Sequence, residues 1–462
     1  MDFLRRPVTP RAVWRFECRL ARLLWEVGRL VMQRSLTNLE PHDPEALPRR
    51  LRLGRDEYRR NRQTPHQVFC LFGPLLMKRW IYQAVQAGES GLCPLEHSLG
   101  VVARLATPAL ADVVGRLSAD LTQEQTLAVL KERYGVCWSV GSLRKVTSAL
   151  AEVLTPLTHE AQVSYLGDLL RKAYASCGKF RPALVVGRDG VMVPMRPFWE
   201  EAATATLSVY DRGGRRLGTV YLGRMPEGGQ GTLTEQLTRL ILAVLTAWEG
   251  PLPRLHYVTD AGHHPQEFFR SVLRPMIHPR TGERLKWTWA VDYYHACERL
   301  TKIAEALFGT GREATAWAEK MRRVLKTKSA GVTRVLQSAQ ALRRRHGLCG
   351  AKKDFTEAVR YLRKYRDHMN YAAYQRVRLA IGSGVTEAAC KTIFGYRFKQ
   401  SGMRWKKEHG QHILDLRLIL KSNLWSVVRQ RWFATHAACE PANTPRNRNT
   451  RPRKPLSYVL PA

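Results

Sequence analysis

The 462-residue chain is short of acids, of long apolar runs and of closely spaced cysteines. Its nine cysteines are scattered, at 18, 70, 93, 137, 177, 297, 349, 390 and 439, and no Cys-x-x-Cys occurs. That argues against a disulfide framework and against a cysteine-based zinc site. The longest strongly apolar stretch, ILAVLTAW at 241–248, falls far short of the ~20 residues that cross a bilayer. The opening MDFLRRPVTP has no apolar core of the secretory kind. Together these absences give the expectation of a reduced, cytoplasmic protein.

Only 39 acids stand against 75 bases, a formal charge of +36. A folded chain this basic repels itself unless a polyanion neutralises it, and nucleic acid is the commonest polyanion in a cell. With 44% hydrophobic and 25% charged residues, the composition is globular, and the length allows two to four domains. The charge is unevenly placed. Residues 181–300 carry 15 bases and 12 acids, whereas 301–380 carry 19 and 6, and 385–462 carry 15 and 4. A near-neutral middle followed by two basic regions suggests a scaffold for acidic chemistry flanked by phosphate-holding surfaces.

Along the chain, 11–33 has apolar positions at helical spacing, 36–64 reads as an extended or irregular arm, and 65–88 returns to helix-like periodicity. Residues 122–154 read as helix, tight turn, helix. This is either a helix-turn-helix, with Ser142, Arg144 and Lys145 as exposed DNA contacts, or an ordinary helical hairpin. Thr122 with Glu124 is one residue short of a capping box. At 181 the register changes. Strands are expected over 181–194, 203–211, 215–224, 255–260 and 285–292, with helices at 232–248 and 264–276. That is a mixed α/β sheet with helices on its faces. From 293 to about 380 the pattern is helical throughout, Gly382–Ser383–Gly384 interrupts it, and 385–398 starts a new helix.

Asp189 and Asp260 each end an apolar strand, at the sheet edge where sites usually form, and Gly190 and Ala261–Gly262 leave room beside them. Glu387 follows in the first turn of a helix. Three convergent carboxylates raise one another's pKa unless cations neutralise them, and oxygen donors suit Mg²⁺, with Mn²⁺ as a substitute. Each acid also has a plainer role open to it: a turn for Asp189, a helix cap for Asp260, a favourable helix charge for Glu387. Asp292 ends a strand too, so Asp189–Asp260–Asp292 is an alternative triad. His295 shares its helix face three residues on.

The segment 382–425 (GSGVTEAACKTIFGYRFKQSGMRWKKEHGQHILDLRLILKSNLW), with VGRDG at 186–190, VTDAG at 258–262 and VDYYHACERL at 291–300, resembles bacterial insertion-sequence transposases of the Kra-type family. The likeness runs from about 85 to 430, and the EAACK…KQSGMRW block is its specific part. It implies a DDE transposase: an α/β ribonuclease-H-like mixed-sheet catalytic core with a large all-helical insertion, preceded by a mainly helical N-terminal region. The resemblance implies Asp189, Asp260 and Glu387 as catalytic, Mg-binding carboxylates, and a non-ligand role at the fold junction for Asp292 and His295. It also implies recognition of terminal inverted repeats, DNA cleavage and strand transfer. Two ends must be processed together, so a homodimer or larger assembly is expected, with the N-terminal helices as candidates for pairing. In a bacterial cytoplasm such a protein would join the nucleoid when bound to DNA. The competing expectations are an endonuclease of the same fold without strand transfer and an inactive DNA-binding derivative.

The implied boundaries are a helical region at 1–100, a helical segment at 101–180 that holds the helix-turn-helix candidate, the first part of the catalytic domain at 181–292, and the insertion at 293–381. The final catalytic helix and basic block follow at 382–435, then a basic, disordered tail at 436–462. Within the block, Arg397, Lys399, Arg404, Lys406 and Lys407 can neutralise phosphates. Tyr396 and Trp405 can stack on an unpaired base, unless Trp405 and Phe398 belong to the core. Basic runs at 343–345 and 360–366 give the insertion a DNA-gripping character.

Overall fold

The computed structural model describes residues 8–86, 91–345 and 353–441. The chain divides into two compact units: one of 1–156 with 429–462, the other of 157–428.

The first unit opens with the expected helix, which runs Pro10–Leu39, and its Thr9 side chain accepts from Ala12 N at the N-terminus. Strands β1 (Arg50–Leu53), β2 (Asp56–Cys70) and β3 (Gly73–Ala84) follow as an antiparallel meander, completed by the short strand Glu440–Pro441 beside β1. The helical expectation for 65–88 is therefore wrong. Leu75, Met77 and Arg79 are buried with period two while Leu76 and Lys78 face outward, and that alternation is the strand signature. The run Leu75–Leu76–Met77 also satisfies a short helical pattern, which is why the two periods compete here. The region 1–100 is thus one long helix and a β-meander rather than helical throughout.

The helix–turn–helix outline holds as geometry. Helix Gln123–Tyr134 ends on Gly135 at φ +64°, and helix Val140–Ala175 follows, more than twice the length expected. The capping box at Thr122 is complete, closed by Gln125 and not Glu124. Arg144 and Lys145 are exposed, and Arg144 Nη2 donates to Gln123 Oε1 at 3.1 Å.

The second unit holds a five-stranded sheet in the order β6-β5-β4-β7-β8, from β4 (Ala183–Pro194), β5 (Trp199–Tyr210), β6 (Arg216–Arg224), β7 (Arg254–Thr259) and β8 (Trp287–Val291). The first three form an antiparallel meander, and β7 and β8 are added parallel to β4. Each parallel step uses a helical crossover, Gly231–Ala247 and then His263–Phe268 with its π-helical continuation Phe269–Leu273. This order and polarity make a ribonuclease-H-like core. Leu233, Leu237, Leu240, Ile241 and Val244 of the first crossover bury one face of the sheet with Leu184, Val186 and Tyr257. An all-helical insertion follows β8. Helices Tyr293–Phe308, Arg312–Thr327, Gly331–Arg345, Lys353–Lys364 and Tyr371–Arg376 precede the return at Gly384–Ala389. No helix among the described residues is long and apolar enough to cross a membrane. The tail expected to be disordered lies, from 442 on, outside the described residues.

Candidate metal-binding catalytic site

The sheet register sets the first two carboxylates side by side. Gly187 pairs with Val258 across β4 and β7, so two residues further along each chain stand Asp189 and Asp260. Strand β4 continues past this point in its pairing with β5, which places Asp189 in mid-strand rather than at the strand end. Asp260 does not cap a helix. Its Oδ1 accepts from Gly262 N at 2.9 Å, Gly262 is the cap, and Ala261 between them adopts φ +65°, a left-handed conformation uncommon for a residue with a Cβ.

Helix Gly384–Ala389 brings in the third acid. It packs against β4 and β5, where Thr386 Oγ1 lies 2.9 Å from Thr206 Oγ1. Gly187 permits the approach: a Cβ built there would sit 1.9 Å from Thr386 Oγ1. Glu387 is the next residue. The helix then widens into a π-turn over Cys390–Gly395, where one regular helix was expected. The π-turn begins at the residue that faces Asp189, since Cys390 Sγ donates to Asp189 Oδ2 at 3.4 Å.

Charge acts among the three acids, most directly between Asp189 and its register neighbour Asp260. Burial raises the Asp189 carboxyl to about 6, and the negative charges of Asp260 and Glu387 push in the same direction, against hydrogen bonds from Cys390 and Gly190 N. Burial, with the charge of Asp189 next, also pushes the Cys390 thiol far up, so it stays protonated and serves as a donor. Cys390 was not anticipated as part of the site. Its position three residues after Glu387, on the same helix face, was the available signal.

Asp292 and His295 stand beside this group and share Glu387 with it. Asp292 is fully buried and caps helix Tyr293–Phe308: its Oδ1 accepts from His295 N at 2.9 Å, and its Oδ2 accepts from both the backbone N–H and the hydroxyl of Ser383. Burial alone would raise this carboxyl, but the contacts from His295 and Ser383 outweigh it and hold it at about 2. Next to Asp292 the imidazole of His295 is raised to about 9, with lesser help from the charges of Glu298 and Asp260. Ser383 Oγ also lies 2.7 Å from Glu387 Oε1. Ser383 was missed as a functional residue, because within a Gly-Ser-Gly it reads as a linker.

Asp292, His295 and Glu387 each bring a ligand atom within 4.8 Å of the others, so this partly buried cluster can hold a divalent metal ion. Asp292, 3.5 Å from His295 Nδ1, favours the protonated imidazole, and a metal there must first displace that proton. Together with the ribonuclease-H-like sheet, the cluster fits metal-dependent chemistry of the nuclease kind.

The basic block divides into two sets. Lys399, Arg404, Lys406 and Lys407 are exposed, as is Tyr396; Lys407 pairs with Glu200 at 3.0 Å, and Lys399 Nζ stands 5.8 Å from the Trp199 ring. Arg397 and Trp405 are buried, which corrects their assignment as DNA contacts. The Arg397 guanidinium lies 5.1 Å from the Trp405 ring, and Trp405 Nε1 donates to Phe398 O at 3.0 Å within a core that includes Phe394, Ile413 and Leu414. The main chain of Trp405 also bonds to Pro194 O and Arg196 N, which fastens the block to the end of β4. No protein-family model matches this chain, and no curated protein does either.

Proposed function

We propose that this protein is a DNA transposase of the acidic-triad type, which binds the terminal inverted repeats of an insertion sequence and carries out Mg²⁺-dependent cleavage and strand transfer. The observation that carries the reading is the register that sets Asp189 beside Asp260 at the carboxyl edge of the β4–β7 pair, where burial and the charge of Asp260 raise Asp189 to about 6, with Glu387 on the helix packed against β4. A site with that excess of negative charge is relieved by a cation, and its carboxylate oxygens are the hard donors that Mg²⁺ takes. Asp189, Asp260 and Glu387 are the residues that would hold the ion; when bound, it would lower the pKa of water and stabilise charge on phosphate oxygens.

The remaining roles belong to the chain's own groups. Asp292 positions the fold junction through the N–H and O–H donors on its oxygens, and with His295 it stands where it can join Glu387 around the ion. Ser383 aims Glu387. His295, protonated at neutral pH, sets positive charge beside the acids. Lys399, Arg404, Lys406 and Lys407, with Arg144 and Lys145, supply phosphate contacts, and the insertion adds exposed Arg360, Arg363 and Arg366. Two ends must be handled together, so the working form is a homodimer or larger.

Labelled duplexes from the DNA that flanks the coding region, incubated with target plasmid and Mg²⁺, should give joined products. Cleavage without joining would instead make the protein an endonuclease of the same fold. Alanine at Asp189, Asp260 and Glu387 should abolish both reactions while DNA binding persists; unchanged activity would refute the assignment.

A further inference from the structure

The helix Pro10–Leu39 is anchored at one end only. Leu36 is its single buried residue, packed with Val68, Leu75 and Met77, and Gln33 exchanges two hydrogen bonds with the main chain of Leu76. The preceding turns carry large apolar side chains into solvent. Val13, Phe16, Leu20, Leu23, Val27 and Leu30 are between 36% and 66% exposed. Their spacing is three, four, three, four, three. That is the heptad repeat of a coiled-coil seam, with Val13, Leu20 and Val27 at a and Phe16, Leu23 and Leu30 at d. A helix that only needed to cover its own sheet would show a 3.6-residue stripe facing inward, whereas this repeat faces away from the anchoring end.

We propose that this helix pairs with the same helix of a second copy of the chain, in antiparallel orientation. The sequence is self-complementary in that arrangement. Pairing Leu20 with Leu23 of the second copy also sets Val13 against Leu30 and Phe16 against Val27, so six a–d layers close over roughly 26 Å of helix with none left over. In the same register the flanking g positions bring Arg19 opposite Glu26, twice by symmetry, so that Arg19 joins the Glu26–Arg29 pair already formed within each helix at 2.6 and 2.8 Å. A parallel pair would set Arg19 against Leu24 and Glu26 against Val31, with no charge pairing. Charge therefore selects the antiparallel form. The association needs no DNA and no metal, so it stands or falls separately from the catalytic reading.

Sedimentation of the full chain without DNA should give twice 52.8 kDa at micromolar concentration. Leu23→Glu, at an exposed position, should give the monomer with unchanged circular dichroism. Glu26→Arg should weaken the dimer about tenfold, and Arg19→Glu/Glu26→Arg should restore it. Under oxidation a mixture of Leu20→Cys and Leu23→Cys chains should form the mixed disulfide. A monomeric wild type would overturn the proposal, as would a chain that dimerises only after removal of residues 442–462. Efficient cross-linking of Leu23→Cys to itself would overturn the antiparallel arrangement.

Discussion

Ser383→Ala tests the organisation of the site through a single oxygen. The hydroxyl lies 2.8 Å from Asp292 Oδ2 and 2.7 Å from Glu387 Oε1, yet it has one proton to give. Asp292 keeps two backbone donors without it, from His295 N and Ser383 N, so the loss of the hydroxyl weighs mainly on Glu387. Removing a hydrogen bond to a charged acceptor costs about 1.5–3 kcal/mol when the acceptor is left without a substitute. Glu387 is half-buried and water can replace part of that loss, so stability should fall by about 1–2 kcal/mol. The larger effect should be on metal binding, because groups that orient a ligand typically carry 10–100-fold in affinity. Calorimetric titration with Mn²⁺ and urea denaturation of the metal-free protein measure the two quantities separately. Ser383→Thr should recover most of both. Mn²⁺ affinity within twofold of wild type for Ser383→Ala would refute the claim that this hydroxyl aims Glu387.

Other consequences follow from the same geometry. Asp189 is raised from 3.8 to about 6, so the fold favours its neutral form; that contribution is complete below 3.8 and is lost as pH rises through 6. Asp189→Asn should therefore stabilise the metal-free protein by up to about 3 kcal/mol at pH 8 and by little at pH 4, while abolishing metal-dependent cleavage. Denaturation curves at the two pH values check the sign. His295, raised from 6.5 to about 9, stabilises the fold below 6.5 and loses that contribution as pH rises through 9; His295→Ala should flatten the alkaline fall in stability seen by thermal melting. Gly187→Ala drives a methyl into Thr386 Oγ1 and should cost about 2 kcal/mol or more, whereas Gly187→Ala/Thr386→Ala should recover only part of it, because Thr206 Oγ1 would still lie 2.8 Å from the new Cβ. Chemical denaturation of both variants decides this.

The five-stranded sheet was legible because its strands alternate or run apolar between clear turn residues. Asp189, Asp260 and Glu387 could be placed on elements, but their convergence depends on strand order, a long-range property that no local pattern carries. The strands over 65–84 were misread where Leu75–Leu76–Met77 fits two periods at once. The alternating burial of Leu75, Met77 and Arg79, the last against the Glu96 carboxylate, shows which period won. Arg397 and Trp405 were misplaced for a related reason. A basic-aromatic run looks the same whether an arginine faces phosphate or stacks on the neighbouring indole inside a core.

The insertion was read as a DNA grip, yet its tyrosines point to a second duty. Tyr361 donates to Asp260 O at 2.9 Å, Tyr365 to Ala261 O at 3.3 Å, Tyr371 to Val291 O at 3.0 Å and Tyr374 to Trp289 O at 3.3 Å. Two of these bonds hold the loop that carries Asp260 with Ala261 at φ +65°, and two hold the end of β8 that precedes Asp292. Rings from the insertion thus fix carbonyl groups at the ends of both parallel strands, with their apolar bodies packed in the same core. A grip alone would leave metal affinity unchanged when these hydroxyls are removed. Tyr361→Phe/Tyr365→Phe should keep the rings packed, cost about 1 kcal/mol per lost bond, and lower Mn²⁺ affinity by loosening Asp260. Equal affinity in calorimetry, with reduced DNA binding, would restrict the insertion to gripping.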